Sequence, residues 1–220
     1  MRQQRCAPQC SVDGARCGVA VVWLVGFNAG SELGVGWVAV SSFVNTQLGA
    51  AFAGFTWLVL EWANVRRPNF VGLMTGAVAG LAAITPGAGY VSFGAASVIG
   101  LLAGLVCYYA IAIKKVTGWD DALDVWGVHG VGGVLGAILL GVFASRSWNP
   151  QGAAGLLSGD TRFFLGQCIA VVASAIWAFA FTYAALWLIN RVTSIRVDAE
   201  TEKLGLDARL LGEAAYSEDR

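Results

Sequence analysis

Charge is what this chain has least of. Only 13% of its 220 residues are Asp, Glu, Lys or Arg, roughly half the share of an ordinary soluble domain. The few charges are also unevenly spread. None falls between Arg67 and Lys114, between Asp124 and Arg146, or between Arg162 and Arg191. A helix needs about 20 mostly apolar residues to cross a bilayer, and each of these gaps is long enough to hold one. The pattern excludes a soluble globular domain and predicts a polytopic membrane protein. The formal net charge is zero, which removes the electrostatic basis for a nucleic-acid partner. Histidine is almost absent, with His129 the single one in the chain. The cysteines lack the paired CxxC spacing of zinc sites. Cys6, Cys10 and Cys17 precede the first apolar run, while Cys107 and Cys168 lie inside apolar runs, and free thiols are expected. Neither a metal nor a cofactor is expected. Period-2 alternation is missing too, so a barrel is excluded and the spans are helices, whose backbone groups are satisfied internally.

What is present is a series of six apolar segments: 18–31, 36–62, 71–85, 91–113, 122–143 and 163–189. The expected fold is therefore all-α, with about six transmembrane helices. Lysine and arginine set the orientation. Arg66 and Arg67 follow the second segment, Lys114 and Lys115 the fourth, and Arg191 and Arg196 the sixth; Arg2, Arg5 and Arg16 precede the first. The uncharged turn "TPGAGYVS" and the loop 144–162 fall on the other side. This places both termini in the cytoplasm and the chain in the cell membrane. Residues 1–17 read as a polar cytoplasmic leader, 18–190 as the transmembrane domain and 191–220 as a charged cytoplasmic tail. Glycine is abundant, at 29 residues. Gly76 with Gly80, Gly100 with Gly104, and Gly132 with Gly136 have the small-xxx-small spacing that lets helices approach closely in lipid.

A few residues stand out as candidates for chemistry. An ionisable group within a span is costly and usually faces a cavity or pathway, which singles out His129 in "LDVWGVHGVGG". Trp126 shares its helix face at i−3. Asp120, Asp121 and Asp124 open the same segment, where acids suit the positive end of a helix dipole. Capping accounts for at least two of them, and Asp124, the deepest, is expected to fix a buried contact. "GFNAGSELG" places Phe27, Asn28 and Ser31 at the end of the first span, where an aromatic and a hydroxyl line an entrance. "ITPGAGYVS" breaks a helix at Thr85. Ser31 with His129 also permits an intramembrane serine hydrolase, although Ser31 lacks a G-x-S-x-G context.

The motifs "GFNAGS", "FVNT", "TPGAGYVS", "DDALDVWGVHGVGG" and "GLDARLLGEAAY" occur in the order and spacing of the ammonium transporter family (Amt/Mep/Rh). From about Trp23 to Tyr216 the chain resembles the C-terminal half of such a transporter. The resemblance implies a non-enzymatic homotrimer in a lipid bilayer, conducting ammonium or ammonia through a narrow apolar pore. Its halves are inverted repeats, a general transporter pattern, and the six segments here resemble the second repeat plus the last helix. It implies that His129 is one of two facing pore histidines, Phe27 an aromatic gate and Ser31 part of an outer ammonium site. Thr85 and Trp126 would line the path, and Asp124 would support its helix. A cytoplasmic regulatory protein is the partner implied for the tail. The chain departs from the family in three places: the first-half histidine has no counterpart, Trp126 stands where phenylalanine is common, and Leu211 replaces the usual tail histidine. The polar leader, unlike any family span, suggests a truncated or frameshifted reading of a longer gene. A non-transporting subunit or pseudogene product is the alternative.

Overall fold

The computed structural model describes residues 7–121 and 123–212. Arg2, Arg5 and Cys6 of the expected leader, and residues 213–216 of the tail motif, lie outside the described residues. The chain is helical throughout: α1 (Ala7–Gly30), α2 (Trp37–Val65), α3 (Phe70–Ile84), α4 (Phe93–Thr117), α5 (Val131–Phe143), α6 (Thr161–Val192) and the short α7 (Ala199–Leu204). A π-helical turn, Trp126–Gly130, leads directly into α5. Five of these stretches are long and apolar enough to cross a membrane, and the apolar part of α1, Gly14–Gly30, is shorter. The protein is an all-helical, multi-pass membrane protein.

Local chemistry explains where most helices stop and start. α2 ends in a left-handed residue, Arg66 at φ 61°, whose N–H donates to the Trp62 carbonyl. Asn69 caps α3 by accepting from the Val71 amide at 3.0 Å, and Ser92 caps α4 by accepting from Ala95 at 3.2 Å. These side chains satisfy amide groups that a helix start leaves open. α1 begins at Ala7, so residues 7–17 of the expected leader are helical and continuous with the first apolar stretch. One expected boundary needs correction. The segment expected from residue 122 becomes regular later, since Asp124 adopts φ 57°, a left-handed conformation that cannot propagate a right-handed helix.

Residues Met1–Val171 form one compact unit and Val172–Arg220 another. In the first, α2 is packed on both α3 and α4, and the contact depends on missing side chains. A Cβ on Gly76 would lie 2.9 Å from the Ala53 carbonyl oxygen. One on Gly100 would lie 2.7 Å from the Gly49 oxygen, and one on Gly104 2.6 Å from that of Ala53. The small-xxx-small pairs of α3 and α4 thus press against one stretch of α2 backbone. In lipid this van der Waals fit, rather than water exclusion, joins helices. The core is correspondingly fine-grained, with Ala53, Ala83, Ala96 and Ala103 packed around Ile84, Val91 and Ile99. In the second unit the α6 side chains are almost all exposed; Trp177 stacks on Phe181, and the Arg191 guanidinium sits 4.4 Å over the Trp187 ring.

Candidate functional site

The polar end of α1 meets the start of α2 and the break after α3, and there a cleft of about 600 Å³ opens. Phe27, Asn28, Ser31, Glu32, Ser42, Thr85 and Tyr90 line it, together with Asn149 and Gln151 from the loop before α6. Phe27 is 64% exposed, so its ring is presented rather than packed away. The Ser31 hydroxyl donates to the Phe27 carbonyl one turn back at 2.6 Å, which leaves its oxygen lone pairs as acceptors. Asn28 is buried. Its amide donates to Thr46 at 3.0 Å and to Thr85 at 3.5 Å, and Thr85 in turn donates to the Leu81 carbonyl at 2.6 Å. One asparagine therefore ties together α1, α2 and the end of α3.

The floor of this region rests on Asn45, which is fully buried. Its amide donates to the carbonyls of Ala88 and Val91, both at 2.8 Å. Those carbonyls belong to the break between α3 and α4, where helix geometry leaves acceptors open. The neighbouring loop is tied down by Ser145 donating to the Tyr90 carbonyl at 2.9 Å and Gly155 donating to that of Ala144 at 2.8 Å. Trp148 of that loop packs edge-on against Phe93, with ring centroids 4.7 Å apart.

The other sequence candidates occupy a different place. His129 lies in the π-helical turn, exposed, and is not among the residues lining the cleft. Such single π turns are frequent at functional sites. The Asp121 carboxylate accepts from the amides of Val125 and Trp126 at 2.9 and 3.0 Å, capping the turn. Asp124 pairs with Lys114 from the end of α4, and the same ammonium donates to the Asp121 carbonyl. Asp120 is exposed on the approach. Trp126 packs edge-on against Trp119 at 5.0 Å and keeps 39% of its surface.

Sequence reasoning placed Phe27, Ser31 and Thr85 as candidates, and the fold brings these three together. It missed Glu32, Tyr90, Asn149 and Gln151, polar groups in turns and loops that carry no helical period. It also missed Lys114 as the partner of Asp124. Asp124, expected to fix a buried contact, makes an ion pair in which its own side chain is a third exposed, and of the aspartates expected to cap, Asp121 is seen to do so.

The Ammonium Transporter Family model matches residues 13–216. The ammonium transporter of Bacillus subtilis (strain 168) is 40% identical over 204 residues, covering 91% of this chain and 50% of the relative. The ammonium transporter Amt1 of Archaeoglobus fulgidus is also 40% identical, over 91% of this chain and 51% of its own. Among solved structures, Saccharomyces cerevisiae Mep2 superposes with a TM-score of 0.77 at 32% identity, over 80% of this chain and 41% of that one. The chain spans about half the length of the curated relatives it matches.

Proposed function

The chain belongs to the ammonium transporter family, and from that premise we propose that it supplies one wall of a path carrying ammonium or ammonia across the cell membrane. The observation that carries the reading is the cleft itself, where Phe27, Asn28, Ser31 and Thr85 converge at one end of the helical unit. Ammonium offers N–H donors and a positive charge. The Ser31 oxygen accepts from the one, and the exposed face of Phe27 attracts the other by cation–π interaction. Full charge is costly to carry into an apolar interior, so the cation gives up a proton on its way, at a point beyond the cleft. His129 is the group in this chain suited to receive and pass that proton, since a neutral imidazole has one accepting and one donating nitrogen. In this reading Trp126 and Thr85 line the route, and Asp121 and Asp124 hold the helix that bears His129.

The family is one of transporters rather than enzymes, which sets aside the serine hydrolase reading; in addition, the Ser31 hydroxyl is engaged with its own helix. A second reading, a membrane subunit that does not transport, rests on the half-length match and on the single histidine. Residues 1–220 alone are therefore expected to give no uptake. Trimeric assembly, a cytoplasmic partner for the tail and cytoplasmic termini belong to the same proposal.

Methylammonium uptake separates the two readings. In cells lacking their own ammonium transporters, the chain alone should give no saturable uptake. Co-expression with the N-terminal half of the Bacillus subtilis relative should restore uptake, and His129→Ala should abolish it. A membrane-inserted pair that takes up nothing would leave the non-transporting subunit as the correct reading. Saturable uptake by the chain alone, lost with His129→Ala, would overturn the claim that it is only one wall.

A further inference from the structure

We infer that Lys114, on α4, is a positioning residue that sets the π-helical turn bearing His129. The inference rests on the reading of His129 as the group that handles the cargo's proton.

Three observations converge on the lysine. First, its ammonium contacts two points of the entry segment at once, the Asp124 carboxylate and the Asp121 main-chain carbonyl. Second, those two residues are the ones that start the turn. The Asp121 carboxylate accepts from the amides of Val125 and Trp126, and the Asp124 carbonyl accepts from Val128 at 3.0 Å. Third, Asp124 sits at φ 57°, a left-handed conformation that aspartate adopts more readily than most residues and that marks the point where the chain turns into the helix.

The ion pair is also sheltered. Lys114 is 14% exposed and Asp124 33% at the side chain, so removing either partner leaves the other poorly solvated. Lys114 lies at the end of one long helix and His129 in the first turn of the next. The ammonium thus fixes where the second helix begins relative to the first, and with it the azimuth of the imidazole. No contact between Lys114 and the cargo is required.

Because His129 is the sole histidine, its ring gives an isolated nuclear magnetic resonance signal in the full chain in nanodiscs. Lys114→Met should displace the His129 Cε1–Hε1 cross-peak. It should also speed exchange of the Val125 and Trp126 amides by about tenfold or more, because the ammonium that anchors their Asp121 cap is gone. Asp124→Asn should do the same. Asparagine tolerates the left-handed region, so this variant removes the charge without adding backbone strain, and it carries the test if Lys114→Met does not fold. Lys114→Arg should return both signals towards the parent. The two disruptive changes combined should be no worse than either alone. Unchanged signals in Asp124→Asn, failure of Lys114→Arg to restore them, or additive effects in the double variant would each overturn the inference. All these readings are independent of uptake, so the positioning role and the transport role fail separately.

Discussion

Asn45 illustrates how one side chain supplies donors to an interrupted bundle, while its own buried Oδ1 is left without a partner among the described residues. At the break between α3 and α4 the helix carbonyls lose their i+4 amides, and burial of Ala88 and Val91 keeps water from replacing them. Asn45 supplies two N–H groups from α2 to the Ala88 and Val91 carbonyls. Leucine at this position keeps the volume and removes both donors. Leaving a buried acceptor unsatisfied costs about 1–3 kcal/mol, so Asn45→Leu should lower unfolding stability in detergent by about that amount, offset in part by removal of the unpartnered Asn45 Oδ1. A variant as stable as the parent in thermal or denaturant unfolding would show that the break does not depend on this amide. The motif "FVNT" marked Asn45 in the sequence, yet its partners lie more than forty positions away. A sequence pattern names a residue type; only the packing of α2 on the turn assigns its bonds. The same holds for Asn28 with Thr85 and for Lys114 with Asp124, whereas Ser31 and His129 stood out because polar or ionisable groups in apolar runs are rare, and Phe27 because it is the aromatic of the same short motif as Ser31.

At the scale of elements, the spans were largely legible, because lipid imposes length and apolarity on any helix that crosses it. The small-residue spacing on α3 and α4 also anticipated close packing, though not that both press on α2. The π-helical turn was not legible, since its register depends on the Asp121 cap and on the left-handed Asp124 rather than on periodicity. Outside the membrane, α7 gives a helix start with a pH signature. Asp198 accepts from the Glu200 and Thr201 amides at 3.1 and 2.9 Å and from the Thr201 hydroxyl at 2.8 Å. These bonds, led by the Thr201 amide, hold its carboxyl below the ordinary carboxylate value. A folded value below the unfolded one means the stabilisation is complete above the unfolded value and is lost as pH falls through the folded one. Amide protection in α7, taken relative to the intrinsic exchange rate at each pH, should therefore fall on acidification below roughly pH 4. Asp198→Asn, still a good cap, should make that protection insensitive to the protonation step. Equal acid sensitivity in both proteins would assign the fraying to another group.

Across the whole molecule the distribution of basic residues makes a prediction about sidedness. Arg66 and Arg67, Lys114 and Lys115, and Arg191 and Arg196 flank alternate helix ends, while the turn 85–92 carries no charge and the loop 144–162 has only Arg146 and Arg162 against Asp160. Short loops rich in lysine and arginine stay on the cytoplasmic side. That argument predicts the sidedness of the five stretches that are long enough to cross. It also tests α1, whose apolar stretch Gly14–Gly30 is short and whose Arg16 lies near its basic end. If α1 crosses, the N-terminus shares the cytoplasm with the C-terminus; if it does not, Arg16 is left outside. In a bacterial host, an alkaline phosphatase fusion after Gln151 should be active, and one after Lys115 or at Arg220 inactive. A small epitope placed at the N-terminus should be accessible only after the inner membrane is permeabilised. Labelling of that epitope in intact spheroplasts would mean five crossings rather than six. The cleft at the C-terminal end of α1 would then need another element to close it.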